Sequence, residues 1–113
     1  MDDDYGEMVR EVVGCVPAGR VTTYGLVAEV VTDRLVAAGL PGRGGPRQVG
    51  QVMAQSGGDV PWWRVVDASG RPPPAHTAEA LMRLRAEGTA LAPDGTRVLI
   101  GRAVWWPGRS DGA

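Results

Sequence analysis

Two adjacent tryptophans, Trp62 and Trp63, are the residues of this sequence best suited to a specific chemistry. They stand in the segment Pro61-Trp62-Trp63-Arg64-Val65-Val66, whose apolar end predicts a strand over residues 63–66. Neighbouring strand residues face opposite sides, so we expect one ring in the core and the other in a cleft. An aromatic wall in a cleft binds a flat ring by stacking. Two core aromatics, in a chain without phenylalanine, are the plainer alternative.

A polar helix face upstream is the second candidate. Residues 46–55 predict a helix with Pro46 in its first turn and Val49 and Met53 facing inward. Its other face carries long side chains without negative charge: Arg47, Gln48, Gln51 and Gln55. Such a face suits a DNA groove, and it equally suits ordinary solvent. Gly50 on the same helix would let a ligand or another backbone come close.

Other chemistries are disfavoured by residue counts. With Cys15 as its single cysteine, the chain cannot form an intrachain disulfide. One cysteine and one histidine, His76, also argue against a metal site, and nothing indicates a cofactor. We expect Cys15 to be a buried structural residue at the end of the first helix. All twelve basic residues are arginine and the net charge is −1, so the chain is not a polycation, although residues 39–71 can form a basic face. A GC-rich genome alone would produce the arginine bias.

The elements that position these residues follow from apolar spacing and turn signals. Helices are predicted over residues 4–15, from Thr22 or Thr23 as N-cap to about residue 38, over 46–55, and over 78–87 with Thr77 as cap. Residues 39–45 form a glycine-rich loop. A turn at residues 93–95 and a strand over 96–100 predict a hairpin. The fold class is therefore mainly α with a short β hairpin, in the order of a winged helix-turn-helix.

Length and composition predict one domain over residues 1–113. No apolar run approaches the roughly 20 residues that cross a bilayer, and the acidic start is unlike a signal peptide. We expect a soluble, cytoplasmic protein without membrane contact. No segment marks a dimer interface, so we expect a monomer.

Three motifs together resemble one family. Val21-Thr22-Thr23-Tyr24-Gly25, Arg47-Gln48-Val49-Gly50-Gln51 and Pro61-Trp62-Trp63-Arg64-Val65-Val66 are similar to the alkyltransferase-like proteins, relatives of the O6-alkylguanine-DNA alkyltransferases of DNA repair. The resemblance covers roughly residues 5–106, which implies a domain core over those residues and leaves residues 107–113 as a disordered tail. In the alkyltransferases a Pro-Cys-His-Arg-Val segment carries the reactive cysteine; here Trp62 stands at the cysteine and Trp63 at the histidine. An indole is neither nucleophile nor base, so the resemblance implies binding without alkyl transfer and no catalytic residue.

The resemblance also implies roles for single residues. Arg47 is similar to the finger that replaces an extruded nucleotide, and Tyr24 to the tyrosine that rotates that nucleotide. Thr23 would contact phosphate, and Arg64 would form a structural ion pair. The lesion pocket is expected to hold Trp62, Pro61, Val65 and Tyr24. The helix that enters the minor groove is expected to contact DNA through Gln48, Gly50 and Gln51.

The function implied is recognition of O6-alkylguanine in duplex DNA, with the base flipped into the pocket and the lesion handed to nucleotide excision repair proteins. Two alternatives stay open: an active alkyltransferase using Cys15, and a winged-helix regulator without lesion preference. The sequence departs from the family at residues 33–45, which lengthen the spacing before Arg47. It also leaves open whether Arg71 or His76 is the basic residue of the pocket.

Overall fold

The computed structural model describes residues 3–56 and 58–106. Its helices and strands, in chain order, are α1 (Asp3–Gly14), β1 (Thr22–Thr23), α2 (Tyr24–Ala37), α3 (Pro46–Gln55), β2 (Val65–Val66), α4 (Thr77–Ala86) and α5 (Ile100–Ala103). Short 3₁₀ turns cover Trp62–Arg64 and Pro74–His76. The mainly helical fold class is as predicted, and so are the first four helices within one or two residues. The expectation of a tail over residues 107–113 lies outside the described part of the chain.

The sheet is smaller than predicted and pairs different segments. β1 and β2 run parallel, with Thr22 opposite Val65 and Thr23 opposite Val66. The predicted strand over residues 63–66 is wrong at its start, because Trp62–Arg64 forms a 3₁₀ turn. The hairpin is reduced to one antiparallel bridge between Leu91 and Val98, and Ile100 already begins α5.

The larger core lies among the first three helices. Apolar residues of α1 recur at helical spacing and are fully buried, as Val9, Val12 and Val13 show. They pack with one face of α2 and with Val49 and Met53 of α3. The apolar faces of α2 and α3 are thereby covered, and the polar face of α3 is left at the surface.

A second core holds the C-terminal half. It contains five buried residues: Val21, Val66, Leu84, Val98 and Ala103. Because they come from the residue before β1, from β2, from α4, from the hairpin region and from α5, this core joins distant parts of the chain. β2 contributes Val65 to the first core and Val66 to the second, so it lies between the two.

The caps of the helices are partly as predicted. Thr23 caps α2, since its Oγ1 accepts a hydrogen bond from the Leu26 amide at 3.1 Å. Thr77 was expected to cap α4 but is its first residue, and its hydroxyl donates instead to the Pro73 carbonyl at 3.0 Å.

The glycine-rich loop between α2 and α3 is fixed to the rest of the fold. The guanidinium carbon of Arg43 lies 5.2 Å from the ring centroid of Tyr5 in α1. Gly44 has a φ of +83°, and a Cβ there would overlap the Tyr5 hydroxyl. The Thr32 hydroxyl donates to the Arg43 carbonyl at 3.3 Å. The extra length before α3 therefore consists of the end of α2 and a loop that rests on α1.

Within residues 3–56 and 58–106, every helix is too short or too polar to cross a bilayer.

Candidate functional site

A cavity of about 430 Å³ opens where α3 meets the segment that carries the two tryptophans. Its volume falls within the range of small-molecule sites. Gly50, Met53 and Ala54 of α3 form one side, Tyr24 and Trp62 stand on a second, and the loop over residues 73–76 closes a third. Ser56, Gly58 and Glu79 complete the lining. The cavity is therefore mostly apolar, with a few polar groups around it.

Trp62 is half-buried, with part of its ring against the first core and part in the cavity. Its ring meets His76 with centroids 5.6 Å apart and an interplanar angle of 60°. It meets Trp63 nearly at right angles, with centroids 5.8 Å apart. The ring is thus held at its edges by aromatic neighbours while it still borders open space.

Trp63 faces the second core, where polar groups surround it. Its indole N–H donates to Glu87 Oε2 at 3.0 Å, and the same carboxylate accepts two hydrogen bonds from Arg64, at 3.0 and 2.5 Å. The guanidinium carbons of Arg64 and Arg83 lie 5.3 and 4.5 Å from the Trp63 ring centroid. The ring is therefore occupied by cation–π and hydrogen-bond contacts.

Arg64 forms the structural ion pair that was expected of it. Its third contact is a hydrogen bond of 2.9 Å from Nη1 to the Val16 carbonyl, at the end of α1. Burial alone would raise the pKa of the Glu87 carboxyl, but hydrogen bonds from Arg64 and Trp63 and the Arg64 charge hold it below its ordinary value of 4.5. Glu87 is thus ionised at neutral pH and ties α4 to the tryptophan segment.

Tyr24 and the preceding Thr23, at the start of α2, differ in how their hydroxyl groups are engaged. Tyr24 is half-buried beside the cavity, where burial first and the Asp67 charge second raise the pKa of its hydroxyl. It is therefore a neutral phenol at physiological pH. Thr23 uses its hydroxyl as the helix cap, so its remaining hydrogen-bonding capacity is what a ligand could reach.

The residues on the polar face of α3 have different surroundings: some line a groove against α1, Gly50 lines the cavity, and Arg47 lines neither. Arg47 is exposed in the first turn, and its side chain has no hydrogen bond or ion pair with residues 3–56 or 58–106. Gln48 turns back, and its Oε1 accepts from the Gly45 amide at 2.9 Å. Gln48 and Gln51 line a groove of about 510 Å³ against α1, whereas Gly50 lines the cavity.

Three sequence expectations need correction. Val65 was expected in the pocket wall, but it is fully buried in the first core because parallel pairing with Thr22 turns it inward. Pro61 is half-buried beside Trp62 and does not border the cavity. Cys15 was expected to be buried but is exposed, because α1 has ended at Gly14 and the apolar stripe continues through Val16 instead.

The basic residue at the cavity is His76, not Arg71. His76 borders the cavity next to Trp62, while Arg71 lines a separate groove with Arg97 and Arg102. Sequence reasoning missed Glu79, which also lines the cavity and pairs with Arg83 at 3.1 Å. Its position in the first turn of the helix that follows the pocket loop was the signal available.

The chemistry of this cavity is that of a binding site for a flat, partly polar ring. Trp62 and Tyr24 offer faces for stacking, and His76, Ser56 and Glu79 offer hydrogen bonds at the edge. The Ser56 hydroxyl donates to the Val52 carbonyl at 2.8 Å, and the phenol of Tyr24 is neutral. The described residues that line the cavity include no thiol.

A sequence model of the family described as "6-O-methylguanine DNA methyltransferase, DNA binding domain" matches residues 4–89. The chain belongs to this family. The match spans α1 to the end of α4 and so contains the whole cavity lining. Membership agrees with the resemblance carried by the three sequence motifs.

Curated relatives and solved structures agree with the family. Proteins named "DNA base-flipping protein" from Escherichia coli K12 and from Shigella flexneri are each 35% identical over 71 residues, covering 61% of this chain. The chain matches 48% of each relative, or about half of its length.

Two crystal structures of the Schizosaccharomyces pombe alkyltransferase-like protein with DNA superpose on this fold. The complex of Atl1 with damaged DNA containing O6-carboxymethylguanine gives a TM-score of 0.71, and a second DNA complex gives 0.68. Both are 29% identical to this chain, and each match covers 93% of this chain and 97% of the other.

Proposed function

We propose that this protein recognises O6-alkylguanine in double-stranded DNA without repairing it. It would bind the duplex through the minor groove, flip the damaged base into the cavity beside Trp62, and leave the alkyl group in place. The lesion would then pass to nucleotide excision repair proteins, a step that rests on the family resemblance alone. The protein would act as a monomer in the cytoplasm.

The observation that carries the proposal is the half-buried Trp62 ring at a cavity floored by α3. Flipping a base costs a few kcal/mol, and less where pairing is already weakened by damage. Stacking on an aromatic ring returns about 1–3 kcal/mol per base. Because these terms are similar in size, Trp62 and Tyr24 can balance most of the cost for a damaged base, and an intact pair stays in the helix.

The remaining free energy would come from residues around the cavity. Arg47, exposed at the start of α3, would enter the duplex and fill the space left by the base. Tyr24 would press against the phosphate of the turned nucleotide, with Thr23 and the start of α2 nearby. Gln48 and Gln51 would contact the groove, and Gly50 would let the DNA backbone approach α3 closely.

Two features support binding without alkyl transfer. Alkyl transfer needs a thiolate, and the thiol of Cys15 lies after α1 rather than among the residues that line the cavity. His76 borders the cavity beside Trp62 and would form a hydrogen bond with the edge of the flipped base, which is a recognition role. An alkyltransferase using Cys15 would have to receive the base at a different surface.

The direct test is to compare the affinity of the protein for an O6-methylguanine duplex with that for the unmodified duplex of the same sequence. Fluorescence anisotropy should give tighter binding of the modified duplex, and mass spectrometry should find the protein mass unchanged after incubation. Equal affinities would favour the winged-helix regulator. A stoichiometric alkyl adduct on Cys15 would establish the enzyme instead.

The role of Arg47 is tested separately. Arg47→Ala should weaken binding of the modified duplex strongly and leave thermal unfolding unchanged, because the side chain is exposed and unpaired within the described residues. Arg34→Ala is the matched control, since Arg34 is an arginine of α2 that pairs with Glu11. Unchanged lesion affinity in folded Arg47→Ala would remove the finger role.

A further inference from the structure

A groove of about 580 Å³ lies outside the cavity and is lined by three arginines. We call it the arginine groove; its cations are Arg71, Arg97 and Arg102, all exposed. Leu99 and Ile100 form its half-buried base. The described residues that line it include no acidic side chain. The groove therefore concentrates positive charge in a protein whose net charge is −1.

The backbone around the arginine groove is firmly set. The Val98 amide donates to the Gly70 carbonyl at 2.8 Å, which joins the loop after β2 to the hairpin region. Gly70 has a φ of +90°, and a Cβ there would overlap the Val98 carbonyl. Asp67 Oδ1 accepts from the amides of Ser69 and Arg71, each at 2.9 Å. These contacts bring Arg71 beside the segment of Arg97 and Arg102.

The three guanidinium groups differ from those of the arginines that form ion pairs. Arg64, Arg83 and Arg34 each pair with a glutamate. In contrast, the side chains of Arg71, Arg97 and Arg102 have neither an ion pair nor a hydrogen bond to residues 3–56 or 58–106. Asp67 and Asp94 lie close enough to feel the charges of Arg71 and Arg97, but both carboxylates accept hydrogen bonds within their own turns and neither lines the groove. The groove is thus ready to receive an anion.

We propose that the arginine groove binds the phosphodiester backbone of the DNA that flanks the lesion. This inference rests on the proposed function, which puts duplex DNA at the cavity. Arg71 stands two residues before Pro73 of the cavity wall, so one short segment of chain connects the groove to the cavity. A guanidinium is planar and matches the paired oxygens of a phosphate. An acidic protein segment is the competing occupant, and nothing besides charge favours it.

The groove would hold DNA without reading its sequence. Contacts to phosphates position a protein on the duplex, whereas base contacts specify the site. Loss of the groove should therefore weaken damaged and undamaged duplexes by the same factor and leave the preference for damage unchanged. Each phosphate contact also adds about 0.9 to the slope of log affinity against log salt on B-DNA.

The experiment measures salt dependence on an unmodified duplex long enough to pass the cavity and the groove. Arg97→Gln/Arg102→Gln should reduce the slope by about 1.8, and the single variants by about 0.9 each. Arg97→Lys/Arg102→Lys keeps both charges and should stay near the wild-type slope. Arg34→Gln/Arg85→Gln removes the same charge from α2 and α4 and should also leave the slope unchanged.

Two results would overturn the groove. An unchanged slope in folded Arg97→Gln/Arg102→Gln would leave an acidic protein segment as the occupant. An equal decrease in the Arg34→Gln/Arg85→Gln control would show an effect of net charge and not of the groove. The proposed function fails by a different measurement, namely equal affinities of the wild-type protein for modified and unmodified duplexes.

Discussion

Trp62 and Trp63 are neighbours in the chain, yet they occupy opposite kinds of surroundings. Trp62 packs against the first core, and part of its ring lines the cavity. Trp63 packs against the second core. Its indole N–H donates a hydrogen bond to Glu87, and its ring lies beside Arg64 and Arg83. Part of the Trp62 ring is therefore available to a ligand, whereas the Trp63 ring is already in contact with protein groups.

The contrast between the two rings shows how a small fold can keep an aromatic side chain in position while part of the ring stays exposed. The 3₁₀ turn of Trp62–Arg64 lies between the two cores, so it is fixed from the side of Trp63. Arg64 joins Glu87 of the α4 end to Val16 of the α1 end. Because that anchor holds the backbone, Trp62 need not bury itself fully to stay in position.

The largest effect is expected from removal of the anchor on the Trp63 side. Glu87→Ala should destabilise the protein by about 3 kcal/mol, because it leaves the mostly buried Arg64 charge and the Trp63 N–H without their partner. Urea unfolding measures the change. Glu11→Ala, which breaks an exposed pair with Arg34, should cost less than about 1 kcal/mol. Similar losses in both variants would mean that the network is no anchor.

The next effect separates the tryptophans directly. Trp62→Ala should reduce affinity for the modified duplex by about 1–3 kcal/mol, because it removes the stacking surface. Trp63→Ala should instead reduce stability, by about 3 kcal/mol since the ring is only half-buried. Titration calorimetry and urea unfolding on both variants give the two numbers.

Fluorescence gives a second view of the same contrast. The modified duplex should quench emission of Trp63→Phe, which keeps Trp62, and quench Trp62→Phe much less. Trp105 and Trp106 contribute to both variants equally. The reverse pattern would transfer the binding role to Trp63.

A smaller effect is expected from acid. The pKa of the Glu87 carboxyl is lowered in the folded protein, so ionised Glu87 stabilises the fold above its ordinary value of 4.5. That stabilisation is lost as the pH falls below 4.5 and through the folded pKa. Urea unfolding between neutral and acidic pH should show a loss of stability in the wild type. Glu87→Gln should flatten that part of the profile, and an unchanged profile would contradict the assignment.

The smallest effect tests the open side at α3. Gly50→Ala should stabilise the fold by about 0.5–1 kcal/mol, because alanine favours a helix interior and the added Cβ meets nothing within 4 Å. Affinity for the modified duplex should fall severalfold, since the methyl group would stand where the DNA backbone approaches. Gly14→Ala, also in open space but at the end of α1 and outside both the cavity and the arginine groove, is the matched control. Undiminished affinity of a stabilised Gly50→Ala would exclude close approach there.

Within single elements, much of this protein can be predicted from its amino-acid sequence. The apolar spacing of Val9, Val12 and Val13 predicts α1 and its buried face, and Thr23 is recognisable as the cap of α2. Pro46 marks the start of α3. These predictions succeed because spacing and caps act over one helical turn, which the local sequence contains. The three motifs around Tyr24, Arg47 and Trp62 together likewise predict the family without any coordinates, and the family model confirms it.

Which distant surfaces meet depends on the packing of the whole fold. Parallel pairing of β1 with β2 buries Val65. A 3₁₀ turn over Trp62–Arg64 replaces the start of the predicted strand. Packing of the loop before α4 brings His76 to the Trp62 ring, and the link from Gly70 to Val98 carries Arg71 to a different groove. These choices depend on contacts between segments far apart in the chain, and no local pattern encodes the free energy of such contacts.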